Sequence, residues 1–134
     1  MLKQSVFPKI LKDKPADAPI RIWVPGCSTG QEAYSLAMAL IEFLDAGGKS
    51  PNIQVFATDL SETLLHRARE GSYPENVETE VSPERLRRFF VRQDARYRVN
   101  KTLRDICLFA KQNVAVDPPF SRVDLISCRN LLIY

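Results

Sequence analysis

Hydrophobic and polar positions along residues 20–59 change period twice. The run I-R-I-W-V at 20–24 is almost continuously apolar and of strand length, as expected of a strand buried on both faces. P-G-C-S-T-G-Q-E follows, rich in turn residues. Apolar side chains then recur at Ala33, Leu36, Ala37, Leu40, Ile41 and Leu44, one stripe at helical spacing that Gly47-Gly48 is placed to stop. A second strand-length run, I-Q-V-F-A-T-D at 53–59, ends on an acid. The pattern predicts strand, loop, helix, strand, a unit that places its ligand at the carboxyl ends of the strands.

The rest of the chain is read against that unit. Residues 1–12 carry apolar positions at Leu2, Val6, Ile10 and Leu11, interrupted by Pro8, and predict a short kinked helical lead-in. Two prolines among charged and small residues mark 12–19 as a linker. Ser61 is placed to cap a second helix running to Glu70, with Leu64, Leu65 and Ala68 inward and Gly71 closing it. Ser82-Pro83-Glu84 opens a short third helix, with proline at its first position and an acid favoured by the helix dipole. From 89 to 100, F-F-V-R, a polar Gln93-Asp94-Ala95 turn and R-Y-R-V-N predict a small hairpin outside the main sheet. Residues 107–114 and 123–128 resume as buried strands, with a rigid Asp117-Pro-Pro-Phe loop between them.

Composition adds limits. The 134 residues suffice for one domain with its own core, and 45% hydrophobic with 26% charged is ordinary for a globular chain. A net charge of +3, without a concentrated basic stripe, gives no case for nucleic acid. The basic residues at 85–104 read equally well as a solvated face. Cys27, Cys107 and Cys128 are odd in number and far apart, two of them in apolar runs, which predicts buried cytosolic thiols. A single histidine, His66, lies among arginines as a surface residue, and no C-x-x-C occurs, so no metal set is expected. Without a signal peptide or a membrane-length apolar run, a cytoplasmic protein is expected.

Three positions favour a nucleotide-like ligand. Gly26 and Gly30 bracket a turn where a side chain would hold a ligand off the backbone, and Thr29 to Glu32 open a helix whose free N–H groups face that ligand. Asp59, at the tip of the second strand, can accept two hydrogen bonds from a ribose diol. Each has a structural alternative. Thr29-Gly-Gln-Glu32 spells a capping box, in which Glu32 bonds back to the N-cap amide. Asp59 can equally belong to the strand-to-helix turn. A nicotinamide site fits less well, because G-C-S-T-G lacks the G-x-G-x-x-G spacing and Asp59 lies well beyond the usual ~20 residues.

W-V-P-G-C-S-T-G-Q-E-A-Y-S-L-A, F-A-T-D-L-S, A-R-E-G-S-Y, L-R-R-F-F and D-P-P-F-S-R-V-D-L-I-S-C-R-N-L-L-I-Y together resemble the S-adenosylmethionine (SAM)-binding domain of chemotaxis receptor methyltransferases of the CheR type. The last stretch is most similar to forms fused to methylesterase and sensor modules. The resemblance runs almost continuously over 20–134 and implies a Rossmann-like, doubly wound α/β sheet with an inserted β-hairpin subdomain at about 83–105. It implies that Glu32 meets the cofactor's amino group and that Asp59 holds the ribose hydroxyls. By the same resemblance Asn113 and Val114 flank the adenine, Arg129 and Asn130 follow the fourth strand, and Tyr134 stands near the transferred methyl group. From spacing alone, Asn113 and Asn130 are strand-end turn residues and Tyr134 a terminal aromatic.

The implied reaction is O-methylation of glutamate side chains on a chemoreceptor-like protein, with S-adenosylhomocysteine (SAH) as product. The sequence departs from the family pattern at Gln31, where a second glutamate is frequent, and lacks the family's N-terminal helical domain and last strands. It is therefore read as a partial methyltransferase domain at 20–134 behind a lead-in at 1–19, with the strand at 123–128 expected to leave an open edge prone to self-association. The alternative from another class is a non-catalytic module that senses SAM or SAH. The 89–100 hairpin, bearing Arg92, Arg96 and Arg98, is the expected docking surface for an acidic receptor helix.

Overall fold

The computed structural model describes residues 7–8, 19–46, 52–111 and 123–126. Four parallel strands form the main sheet: β1 (Ile20–Pro25), β2 (Ile53–Asp59), β6 (Cys107–Lys111) and β7 (Leu125–Ile126), in the order β6-β2-β1-β7. The chain steps outward from β1 through β2 to β6 and then returns to pair β7 with the opposite side of β1. This is the doubly wound arrangement, and its reversal of strand order opens a crevice beyond the carboxyl ends of the central strands.

Alternation along the strands builds the core. Ile20, Ile22 and Val24 stand in register with Ile53, Val55 and Ala57, and this face packs with the stripe of helix α1 (Gln31–Ala46). Burying side chains such as Leu40 and Leu65 contributes about 1.5–3 kcal/mol each relative to leaving them in water. On the opposite face Trp23 is also buried, and its indole N–H donates to the Thr58 hydroxyl at 3.0 Å. Burial on both faces accounts for the near-continuous apolar run of β1.

Helix α2 (Glu62–Glu70) begins and ends as its caps require. Ser61 Oγ accepts from the Leu64 N–H at 3.2 Å, and Gly71, at φ 64°, donates its N–H to the Arg67 carbonyl. Leu65 and Ala68 are fully buried, whereas Leu64 is only half-buried. Helix α3 (Pro83–Phe89) has Ser82 as its N-cap and proline in its first turn, as expected.

The predicted hairpin is present as β4 (Phe90–Gln93) and β5 (Arg96–Val99), joined at Asp94-Ala95 with Asp94 at φ 55°. Three elements escaped the sequence reading. β3 (Ser72–Pro74) pairs antiparallel with β5 and completes a three-stranded sheet in the order β3-β5-β4. Helix α4 (Lys101–Ile106) fills the gap before β6, started by Asn100 Oδ1 accepting from the Leu103 N–H at 2.9 Å and anchored by buried Leu103. A 3-10 turn at Glu75–Thr79 links β3 to α3.

Helix α3 is tied to α1 by two ion pairs one turn apart. Arg85 reaches Glu42 through both Nε (3.0 Å) and Nη2 (2.7 Å), and Arg88 pairs with Asp45. Helix α1 extends two residues past Leu44, and the glycines expected to stop it lie outside the described residues, as do the Asp117 loop, Cys128 and all of the lead-in except Phe7 and Pro8, which are helical, with Phe7 buried. Of the strand expected to leave an open edge, β7 is described and pairs with β1 alone among the described residues. Among the described residues no helix is long and apolar enough to cross a membrane.

Candidate functional site

The loop between β1 and α1 is built from alternating left-handed residues: Gly26 at φ 65°, Ser28 at φ 54° and Gly30 at φ 88°. Glycine adopts this region freely, whereas serine pays roughly 1–2 kcal/mol for it. Contacts from β2 hold the loop in place. The Cys27 N–H donates to the Thr58 carbonyl at 2.9 Å, and the Ser28 N–H donates to Asp59 Oδ2 at 2.9 Å. The other carboxylate oxygen, Oδ1, accepts from the Ser61 N–H at 3.0 Å. Asp59 therefore joins the tips of β1 and β2 and the start of α2. Both readings of Asp59 are compatible: it is a turn residue, and each oxygen keeps a lone pair for a further donor. Leu60, directly after it, is 60% exposed and lends apolar surface to the same rim.

The expected capping box has a different register. Gly30 cannot be the first helical residue at φ 88°, and its carbonyl accepts the first helical bond from the Tyr34 N–H at 3.0 Å. Gly30 is thus the N-cap, and Glu32 stands at the second helical position rather than the third, where a box with Thr29 would need it. An acid in this first turn is favoured by the helix dipole.

Gly30 also has a reason other than the one expected. A side chain there would meet Ala68 Cβ at 3.0 Å and the Phe109 ring at 3.2 Å, so the absent Cβ lets the start of α1 pack against α2 and β6. The neighbours it would strike are protein atoms.

Three buried aromatic rings back the loop. Tyr34 packs edge-on against Phe109 and Tyr73, with centroids 5.5 Å and 6.5 Å away. Its hydroxyl donates to the Ala68 carbonyl at 2.6 Å, and that of Tyr73 donates to the Thr29 carbonyl at 2.8 Å. Burial raises both phenol pKa values well above the ordinary 10, so both remain donors. Tyr73 was missed by the sequence reading, whose only signal for it was its place in A-R-E-G-S-Y. Cys27 lies in the same loop, its thiol pushed up to about 12 by burial, with the Asp59 charge adding to the effect. Cys107 on β6 is pushed to about 12 by burial as well. Neither thiol is poised as a nucleophile at neutral pH.

A cleft of about 200 Å³ opens between α1 and the small sheet, lined by Glu32, Tyr34, Met38, Tyr73, Val77 and Phe90 among others. Of the sequence-predicted site residues, the fold thus brings Gly26, Gly30, Glu32 and Asp59 to one end of the sheet. Asn113, Val114, Arg129, Asn130 and Tyr134 lie outside the described residues. The acceptor set is of a kind that would fit SAM: Asp59 offers a carboxylate at a strand tip, where a ribose diol could donate, and Glu32 a second carboxylate in a helix's first turn, where an ammonium group could.

The hairpin arginines are less free than the sequence suggested. Arg92 is paired with Glu75 at 2.7 Å and lies 3.7 Å from Glu78. Arg96 instead binds Ser72 through Oγ and the carbonyl, and Arg98 binds the Glu70 carbonyl. These two keep their charge without a carboxylate partner among the described residues.

Residues 1–134 match the CheR methyltransferase, SAM-binding domain family. The chain is 37% identical over 139 aligned positions to chemotaxis protein methyltransferase 1 of Pseudomonas aeruginosa, covering 100% of this chain and 50% of that protein. It is 35% identical to a chemotaxis protein methyltransferase of Borreliella burgdorferi, covering 99% of this chain and 49% of that protein. An uncharacterised 104.1 kDa protein of Rhodobacter capsulatus is 34% identical over 133 residues, 99% of this chain and 14% of that one. The chain spans about half the length of the two named methyltransferases.

Proposed function

The chain belongs to the CheR methyltransferase family and is its SAM-binding domain, and from that premise we propose that it binds SAM for O-methylation of glutamate side chains on a chemoreceptor-like protein. The observation that carries this reading is the Asp59 carboxylate, held at the carboxyl edge of the sheet by the Ser28 and Ser61 N–H groups beside the glycine loop.

In this reading Asp59 receives the two ribose hydroxyls on lone pairs that the backbone donors leave available. Glu32 meets the amino group of the cofactor's methionine portion, and Leu60 offers apolar surface beside the ribose. When bound, SAM supplies an electrophilic methyl group, which a substrate carboxylate takes as the C–S electron pair leaves to sulfur. A glutamate carboxylate, with an ordinary pKa near 4.3, is already ionised at neutral pH, so the protein need supply no base. Its contribution is alignment of the two partners and exclusion of water. Asn113, Val114, Arg129, Asn130 and Tyr134 complete the proposed site on the family resemblance. The likeness to chemotaxis protein methyltransferases supports a receptor as substrate.

Calorimetry with SAH tests the site. Asp59→Ala removes charge-assisted hydrogen bonds worth about 1.5–3 kcal/mol each, so affinity is expected to fall at least tenfold. Because Asp59 also ties the loop to α2, Asp59→Asn, of the same shape, is measured beside it, with circular dichroism to check the fold. Unchanged SAH affinity in two folded variants would reject the assignment. Transfer of labelled methyl to receptor glutamates tests the reaction. SAH binding without transfer under any receptor condition favours the sensing module instead.

A further inference from the structure

The Thr29–Gly30 peptide is held from two sides. Its N–H donates back to the Cys27 carbonyl at 2.9 Å, and its carbonyl accepts from the Tyr73 hydroxyl at 2.8 Å. Glycine tolerates either sign of φ, so this peptide could rotate at little local cost if one hold were lost. The other loop contacts, Cys27 to Thr58 and Ser28 to Asp59, come from the main sheet. Tyr73 comes from β3, the short strand of the inserted sheet, paired with Tyr97 on β5. Its ring is only 7% exposed and rests edge-on against Tyr34, and it also lines the cleft between α1 and the small sheet.

We propose that Tyr73 is a positioning residue that sets the cofactor loop: its hydroxyl selects the carbonyl orientation at Thr29, so the small sheet controls how ready the loop is to bind SAM. This rests on the reading that the loop faces the cofactor. Displacement of β3, by whatever docks on the small sheet or enters the cleft, is thereby felt at the start of α1. Loss of the hydroxyl leaves packing intact and lets the loop populate a rotated form that must be reversed on binding. Apparent affinity falls by the fraction of loops still competent. One hydrogen bond of ordinary net strength corresponds to roughly a two- to tenfold weakening.

The test uses the whole chain and SAH as the probe. Tyr73→Phe is expected to weaken SAH binding by that factor and to speed hydrogen exchange at the Gly30 amide. Tyr34→Phe loses a more deeply buried hydroxyl bond, to Ala68, without touching the loop carbonyl. It is expected to lower the melting temperature, to leave Gly30 exchange unchanged and to weaken SAH binding less than Tyr73→Phe does. Equal affinity in Tyr73→Phe and the parent chain, while Asp59→Ala still loses binding, overturns the role of Tyr73 alone. Equal weakening by Tyr34→Phe and Tyr73→Phe also overturns it, since general loss of packing would then be the cause. No loss in Asp59→Ala rejects the cofactor placement itself.

Discussion

At the scale of single residues, the loop shows why two glycines in one short turn are not interchangeable. Gly30 serves as N-cap at φ 88° and lets α1 approach Ala68 and Phe109. Gly30→Ala adds left-handed strain and an overpacked Cβ together, and is expected to destabilise the fold by about 1–3 kcal/mol. Urea unfolding with an unchanged slope measures the loss, and a stability equal to the parent chain would show that the neighbours yield freely. Legibility also differs residue by residue. Asp59 is readable because strand-end acids have a position in the pattern, and Ser61 and Ser82 because caps are written within four residues. Tyr73 is unreadable from the sequence, since its partner Thr29 is 44 positions away.

The secondary elements bring the hairpin into focus. Arg92 is occupied by the glutamates of the adjoining 3-10 turn, so the charge available to an acidic partner resides in Arg96 and Arg98. If this sheet meets a receptor, Arg96→Glu with Arg98→Glu is expected to slow association severalfold at low salt and to leave SAH affinity unchanged. Stopped-flow measurements over a salt series check this, and rates independent of both charge and salt would exclude the electrostatic part of the proposal. β3 explains why a hairpin alone was predicted: Ser72–Pro74 is too short for any periodicity and ends on proline, so it exists as a strand only by pairing with β5. Helix α4 did carry a local sign in Asn100, which caps it, but offered only one fully buried apolar residue, Leu103.

For the whole molecule, stability should depend on pH in a direction set by the buried thiols. Cys27 and Cys107 have pKa values near 12 in the fold against an ordinary 9.0. Below about pH 9 both states keep these protons, and the stabilisation is complete. Above it the unfolded chain releases them first. Stability then falls with rising pH until about 12, by at most about 1.4 kcal/mol per pH unit for each thiol. Tyr34 and Tyr73, also raised by burial, add to the fall above pH 10. Denaturant unfolding from pH 7 to 11 measures this, and a flat profile above pH 9 would show that the thiols are solvated in the fold.

The sequence by itself determined the β1–α1–β2 unit, the caps of α2 and α3, the hairpin and the family, because a period, a cap and a contiguous motif are each written within a few neighbouring residues. Tertiary structure alone decided the strand order β6-β2-β1-β7, the third strand of the small sheet, the ion pairs from α3 to α1 and the bond from Tyr73 to the loop. All four join groups far apart in the chain, where the gain of a contact appears only after folding has brought both partners together. The same holds for Gly30, whose place in a turn was evident from its neighbours in sequence, while its close approach to Phe109 depended on how α1 lies over the sheet.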